Sequence, residues 1–387
     1  MADSAATLMR PEAHAVTDIT KAPVVVVGAG PAGLAAAREL AGRGIDYRIL
    51  ERGPAIAHTW RNLYDSLVLH TGKHLSTLPG MAYPRAAPLF PSRTDFIDYL
   101  DRYRDAFALR VEAGVEVRHA TAANGRGWVL ETSNGRVLAR ALIMATGIVA
   151  RPVRPEFEGR DVFEGTVRHS VEYRRPGAFA GRRVLVVGCG NSGGEIASEL
   201  ANAGVDTAIA VRSGANVVPL TLFGVPIQYV AWMLRRLPAP GKKVVVGLVR
   251  GVSRLRRGPP VLPRPPWGPL ERIPLIGFHL VDAIRAGRVR LAPGIRAFTR
   301  NGVDFTDGTR GDFDDVILAT GFRPAIEPIE RFVRVDGAGF ALRRDRVASA
   351  DRADLFFVGH NYDSTGGLMN IARDAPLVAA HIAGNGR

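Results

Sequence analysis

The apolar positions of the chain fall into two copies of one arrangement. In the first, four consecutive valines (Val24 to Val27) form a run that is apolar on both faces, as a buried parallel strand is, and they lead through glycines into the small-residue helical pattern "PAGLAAAREL". The short run "YRILE" follows as the next strand. In the second copy "RRVLVVG" leads into "CGNSGGEIASEL", and "TAIAVRS" follows. Each copy then passes through short strand-like segments with turn signals, "VEVRHA", "WVLETSNG" and "RVLA" in the first, "RVRLAPG" and "VDFTDG" in the second. Each closes on an apolar strand ending in Ala-Thr-Gly, "RALIMATG" and "DDVILATG". Strands alternating with helices predict an α/β fold with parallel sheets, here two Rossmann-like dinucleotide-binding domains in tandem. After Gly321, "DLFFVGH" reads as a strand and "GGLMNIARDAPLVAAHIAG" as a helix, too little for a third domain. They are expected to return and complete the first unit. The expected division is a mobile tail over 1–20, a discontinuous first domain over 21–150 and 322–387, and a second domain over 151–321 inserted into it.

The glycines give these units their chemistry. Gly28, Gly30 and Gly33 stand as G-x-G-x-x-G: the first for a tight turn, the second so that backbone can approach a pyrophosphate, the third for close packing of helix on strand. Pro31 and Ala32 open the helix between them. Glu51 ends the next strand eighteen residues past Gly33, where a carboxylate can accept from both ribose hydroxyls, and Arg52 follows it. The second unit repeats the pattern with Gly188, Gly190 and Gly193, and places Asn191 and Ser192 at the helix start to meet a pyrophosphate or nicotinamide ribose. At the offset of Glu51 it has Val211, followed by Arg212 and Ser213. With no acid to repel a phosphate and a guanidinium to grip one, the second site is expected to prefer NADPH to NADH; an arginine that only caps an exposed strand end is the plainer reading. The strand-end triplets Ala145, Thr146, Gly147 and Ala319, Thr320, Gly321, with Gly359 of "FFVGH", lie where open sheets bind ligands.

Composition narrows the partners. The 387-residue chain carries a net charge of +14, which raises nucleic acid as a ligand. The excess is localised, however: between Asp206 and Glu271 there are ten basic residues and no acid, and no helix-turn-helix, RNA-recognition or zinc-ligand spacing accompanies them. Nucleic acid and a metal are therefore not expected. The basic stretch, an insertion at about 220–270, reads as a lid or channel wall with a solvated arginine face; peripheral contact with an anionic membrane is the alternative. The single cysteine, Cys189, excludes an internal disulfide and a Cys-x-x-Cys redox pair. No apolar run is long enough to span a bilayer, and the N-terminus lacks the apolar centre of a signal peptide, so a cytoplasmic enzyme is expected.

Ahead of the second glycine set lies "FEGTVRHSVEY", with no helical or strand period. Phe163, Gly165, His169 and Tyr173 in it match the F-x-G-x-x-x-H-x-x-x-(Y/F) signature of class B flavin-dependent monooxygenases. The chain also resembles the YUCCA-type members of that family along nearly its whole length, in "GAGPAGLA", "TWRNLYDSLVLHTGKH", "PSRTDFIDYLDRY", "PEFEG", "GCGNSGGEIASEL" and "LATGFRP". The resemblance implies FAD in the first unit, NADPH in the second, and O2 as co-substrate, with oxygen transferred from a C4a-(hydro)peroxyflavin to a small organic substrate. N- or S-oxygenation and oxidative decarboxylation of a 2-oxo acid such as an indole-3-pyruvate-like compound are the reactions it implies; Baeyer–Villiger oxygenation of a ketone and plain flavin reduction are the alternatives. It implies catalytic-site roles for Asn62 and His70, with His70 donating a hydrogen bond near the oxygen-reaction cavity; a core histidine at His70 and a core-packed aromatic at Trp60 are the plainer readings. Trp60 is placed beside the flavin and Lys73 is set to neutralise cofactor charge. His169 with Ser170 would bond across the domain junction and influence NADPH coupling, Gly165 would bend the backbone, and the helix opening at Gly367 and Leu368 would face the reduced flavin's pyrimidine edge.

Overall fold

The computed structural model describes residues 19–123, 126–234, 238–268, 271–363 and 365–384. Most of the expected tail lies outside the described residues; its last two belong to a 3-10 turn over Ile19–Lys21 that leads into the first strand. That strand, Val24–Val27, is an interior strand of a seven-stranded sheet. It pairs in parallel with Tyr47–Glu51 on one side and Ala141–Met144 on the other. Strand Leu355–Phe357 pairs in parallel with Ala141–Met144, so the chain does return to the first sheet after the second domain. Three helices belong to the chain's first pass: α1 (Pro31–Ala41), the short α2 (His58–Arg61) and α3 (Arg93–Ala106).

Helix α3 exists to hold the loop before it. Ser92 and Asp95 form a reciprocal capping box at its start, which typically contributes about 1 kcal/mol. Phe96, Tyr99, Leu100 and Tyr103, at i, i+3, i+4 and i+7, form one buried face. Phe96 receives the edge of Trp60 with ring centroids 4.5 Å apart. Asp101 binds Arg61 at 2.6 Å, and Arg93 donates to the carbonyls of Arg61 at 3.0 Å and Leu63 at 2.9 Å. The 58–70 loop is thereby fixed against a rigid element.

The second sheet has five parallel strands, with Arg183–Val187 central between Asp206–Ala210 and Asp315–Leu318. Helix α4 (Asn191–Asn202) follows Arg183–Val187. The insertion supplies α5 (Ile227–Leu234) and α6 (Ala239–Arg257), α7 (His279–Arg285) packs on α4, and α8 (Gly367–Ile382) returns to pack on α1. The segment around "GTVRHSV", read from sequence as a linker, is partly a strand: Thr166–His169 forms the sheet's edge beside Asp315–Leu318. An edge strand with only one neighbour and half-buried faces shows no clean period, which is why the pattern missed it.

The two crossings between domains pair with each other. Arg151–Pro152 and Phe322–Arg323 form an antiparallel two-stranded ribbon. Thr146 Oγ1 donates to the Ala325 carbonyl at 2.6 Å, and Thr320 Oγ1 donates to the Val153 carbonyl at 2.5 Å. Each Ala-Thr-Gly end thus pins the opposite crossing.

Two histidines are buried beside this frame. His360 is 1 % exposed, and neither ring nitrogen has a partner among the described residues. Burial, helped by the Arg343 charge, pushes its pKa down to about 3. Burial also lowers that of His169. A histidine kept neutral in the fold but ordinary when unfolded lets the unfolded chain bind protons first, so its contribution is complete above pH about 6.5 and is lost as pH falls below that value. The unfolding midpoint should therefore drop less between pH 7 and 5 in His360→Leu than in the unaltered protein, by roughly one proton's worth of slope. Denaturant titrations across that range check it; equal slopes would contradict it.

Candidate active site

The carboxyl ends of both central strands open on one continuous cleft of about 1360 Å³ between the domains. Its floor is built twice by the same glycine geometry. Gly28 (φ +102°) and Gly188 (φ +104°) each take a left-handed turn beneath the opposite strand end, where a Cβ would meet the Ala145 or Ala319 carbonyl oxygen at 2.6 Å. Gly33 and Gly193 let helix close on strand: a Cβ there would lie 1.9 Å from the Gly28 or Gly188 oxygen. Gly30 and Gly190 differ, because a Cβ would meet nothing within 4 Å. Each stands as the N-cap of its helix with no side-chain cap, so the first amides of α1 and α4 face open space. The N-cap of α8, Gly366, is likewise without a side-chain cap. Uncapped amides above a glycine cradle are what a pyrophosphate requires. Glu51 is buried, accepts from the amides of Ala29 at 2.7 Å and Gly53 at 2.8 Å, and still faces the cleft with its free lone pairs. The residues therefore fit two dinucleotides.

Most of the site residues expected from sequence do line this cleft: Gly28, Gly30, Pro31, Ala32, Glu51, Arg52, Trp60 and His70, the triplet Ala145 to Gly147, Ser170, Asn191, Ser192, Gly359, Gly367 and Leu368. Gly33, Gly188, Gly190, Gly193 and the triplet Ala319 to Gly321 lie beneath or beside it as scaffold. Arg212 and Ser213 stand just past the end of strand Asp206–Ala210, with Arg212 exposed.

Four residues make other contacts than expected. Lys73 does not face the cleft; its Nζ donates to the carbonyls of Arg85 at 2.8 Å and Ala87 at 2.6 Å, closing a surface turn. Asn62 is also off the cleft wall, donating to the His58 carbonyl at 2.9 Å and accepting from Arg174 at 3.2 Å. It ties the 58–70 loop to the second domain, as does the Asp65 amide on the Arg174 carbonyl at 3.0 Å. His169 is fully buried: Nδ1 accepts the Val171 amide at 3.3 Å, which leaves the proton on Nε2 to bond the Gly321 carbonyl at 3.1 Å. It braces the second crossing and does not line the cleft, while its neighbour Ser170 does. Gly165 is needed for space and not for a bend, since a Cβ would meet the Phe163 ring at 2.3 Å and the Asp314 oxygen at 2.7 Å. Phe163 and Tyr173 are buried anchors on Phe298 and Phe179.

The residues that sequence reasoning missed are Tyr64 and Glu195. Glu195, on α4, receives Tyr64 Oη on one carboxylate oxygen and His70 Nε2 on the other. Tyr64 and His70 come from the first domain, so one carboxylate joins both domains inside the cleft. Burial, with the Glu195 charge beside it, holds the Tyr64 hydroxyl far above the ordinary phenol range and therefore protonated. Comparison of the two repeats carries the missing signal: the position of Glu195, two past the last fingerprint glycine, is Ala35 in the first unit.

This is the architecture of a two-dinucleotide-domain flavoprotein. The family model for pyridine nucleotide-disulphide oxidoreductases matches residues 25–218. The chain is 38 % identical over 380 residues to indole-3-pyruvate monooxygenase YUCCA1 of Oryza sativa subsp. japonica, covering 92 % of this chain and 90 % of that protein. It is 37 % identical over 381 residues to indole-3-pyruvate monooxygenase YUCCA6 of Arabidopsis thaliana, covering 92 % and 89 %. Among solved structures, a mutant flavin monooxygenase from Stenotrophomonas maltophilia superposes with a TM-score of 0.75 at 25 % identity, covering 94 % of this chain and 98 % of that one. An NADP+-bound cyclohexanone monooxygenase from Rhodococcus sp. Phi1 gives 0.71 at 19 %, covering 94 % and 84 %, a likeness of fold alone. The chain belongs to the class B flavin-dependent monooxygenases and is YUCCA-like. It is an NADPH-dependent flavin monooxygenase whose cofactors are FAD and NADPH.

Glu195→Gln tests the cross-domain carboxylate. Losing a charged hydrogen-bonded pair should raise KM for NADPH by about tenfold while flavin content stays full. Flavin occupancy by absorbance and steady-state NADPH oxidation check it; an unchanged KM would make the contact incidental.

Proposed function

We propose that the protein oxidatively decarboxylates an apolar 2-oxo acid of the indole-3-pyruvate kind. In balance, the 2-oxo acid, O2, NADPH and a proton become the carboxylic acid one carbon shorter, CO2, water and NADP+. The observation that carries this reading is similarity over nine-tenths of the chain to proteins named for that substrate. When bound, the flavin supplies hydride acceptance from NADPH and the activation of O2.

The chain's own residues bind, orient and exclude water. Gly28, Gly30 and the α1 amides take the FAD pyrophosphate, with Glu51 on the adenosine ribose. Gly190, Asn191 and Ser192 take that of NADPH, and Arg212 supplies the guanidinium for its 2′-phosphate. Trp60 packs at the flavin side of the cleft. His70, held by Glu195, presents a hydrogen bond to the region between the two cofactors. Leu67, Val230, Ala231 and Val246 are also in the cleft lining, apolar walls that suit a planar aromatic side chain, and Arg254 in the same lining would meet a carboxylate. N- or S-oxygenation and Baeyer–Villiger chemistry have no comparable observation in their favour.

Indole-3-pyruvate should accelerate NADPH-dependent O2 uptake and yield indole-3-acetate and CO2 in equal amounts, measured by oxygen electrode and product mass. Acceleration by sulfides, amines or ketones with none from 2-oxo acids would overturn the substrate class and leave the monooxygenase assignment intact.

A further inference from the structure

Helix α6 has two different faces. Val246, Val249 and Arg254 line the cleft. On the outside, Val244 is 62 %, Leu248 63 % and Leu255 88 % exposed. At about 100° per residue these three project within about 40° of one another, so they form one outward apolar stripe. The intervening Gly247 and Gly251 are also exposed and add no polar cover. Met233, at the end of the preceding helix, is 61 % exposed. Surface helices of water-facing proteins carry polar groups at such positions, and large apolar side chains left in water mark a surface that something covers.

Charge says what covers it. The sequence of α6 contains Lys242, Lys243, Arg250, Arg254, Arg256 and Arg257 and no acid, within the stretch from Asp206 to Glu271 that has none at all. A second copy of the chain would bring the same positive segment against itself, and a stripe of three side chains falls short of the roughly 1,200 Å² that a stable protein interface buries. An anionic lipid surface meets both requirements: the stripe seats at the acyl boundary, and the segment's unbalanced positive charge draws it to the headgroups. Among the described residues no helix is long and apolar enough to cross a membrane, so the helix would lie in the surface.

We propose that α6 docks the protein onto an anionic bilayer, with Val244, Leu248 and Leu255 seated among the lipids. Because the opposite face of the same helix is a wall of the cleft, docking sets that side of the cleft beside the membrane, where an apolar substrate is concentrated. The inference stands whichever substrate the enzyme oxidises.

Co-sedimentation of the full chain with phosphatidylcholine vesicles, with and without phosphatidylglycerol, tests it. Binding to the anionic vesicles should exceed binding to neutral ones by at least roughly tenfold, since each basic residue near such a surface adds on the order of fivefold. It should weaken as salt shortens the screening length. The double variant Leu248→Asp, Leu255→Asp should lose most of this binding while keeping its flavin content and NADPH oxidation in solution, and Val335→Asp, at another exposed valine, should keep it. Equal pelleting on both vesicles would overturn the proposal, as would binding that survives the double variant, which would reduce it to charge alone. A concentration-dependent dimer that the double variant abolishes, without vesicle binding, would assign the stripe to a second copy instead.

Discussion

Two folds that each hold a dinucleotide can exchange a hydride only while their cleft edges keep one separation, and here two chain crossings, the contacts of Arg174 with Asn62 and Asp65, and one carboxylate hold them together. The crossings pair as a short ribbon, and a threonine from each strand end is bonded to the other crossing, Thr146 to Ala325 and Thr320 to Val153. Glu195 adds a tie inside the cleft between α4 and the loop that carries Tyr64 and His70. An apolar side chain there would leave the Tyr64 phenol and the His70 imidazole without their acceptor, so the tie is costly to break.

The signature segment from Phe163 to Tyr173 makes physical sense in that frame. Phe163 is sunk among the aromatic rings of the second domain, Gly165 lets the chain pass Asp314, and Tyr173 bonds Glu199 on α4 at 2.9 Å. His169 holds Gly321 at the point where the chain leaves the second domain. All of these contacts are made with the protein itself. They stiffen the edge from which the second domain faces the first, and a proton on the buried His169 ring would cost that stiffness.

Much of this was legible in the sequence because it depends on local geometry. A left-handed glycine, a helix that must touch its strand and a carboxylate at a strand end are written within about twenty residues of each other, and the duplicated valine runs and Ala-Thr-Gly ends gave the two-domain plan. What was not legible depends on tertiary meeting. Nothing near Tyr64 announces that it will find Glu195, 131 positions away. Lys73 and Asn62 have side chains suited to a cofactor, yet each is closer to a carbonyl or an arginine that claims it first. The Thr166–His169 strand escaped because an edge strand shows no clean alternation.

The stoichiometry of hydrogen peroxide formed per NADPH consumed tests the central claim most directly, because it reports whether NADP+ and flavin stay in register during the oxygen half of the cycle. His169→Ala, which removes the brace on Gly321 without touching the cleft wall, should retain FAD and yet release several-fold more peroxide per NADPH than the unaltered enzyme in the presence of substrate. Full flavin content with unchanged coupling in that variant would contradict the account, since the junction would then hold the domains together without governing how they work.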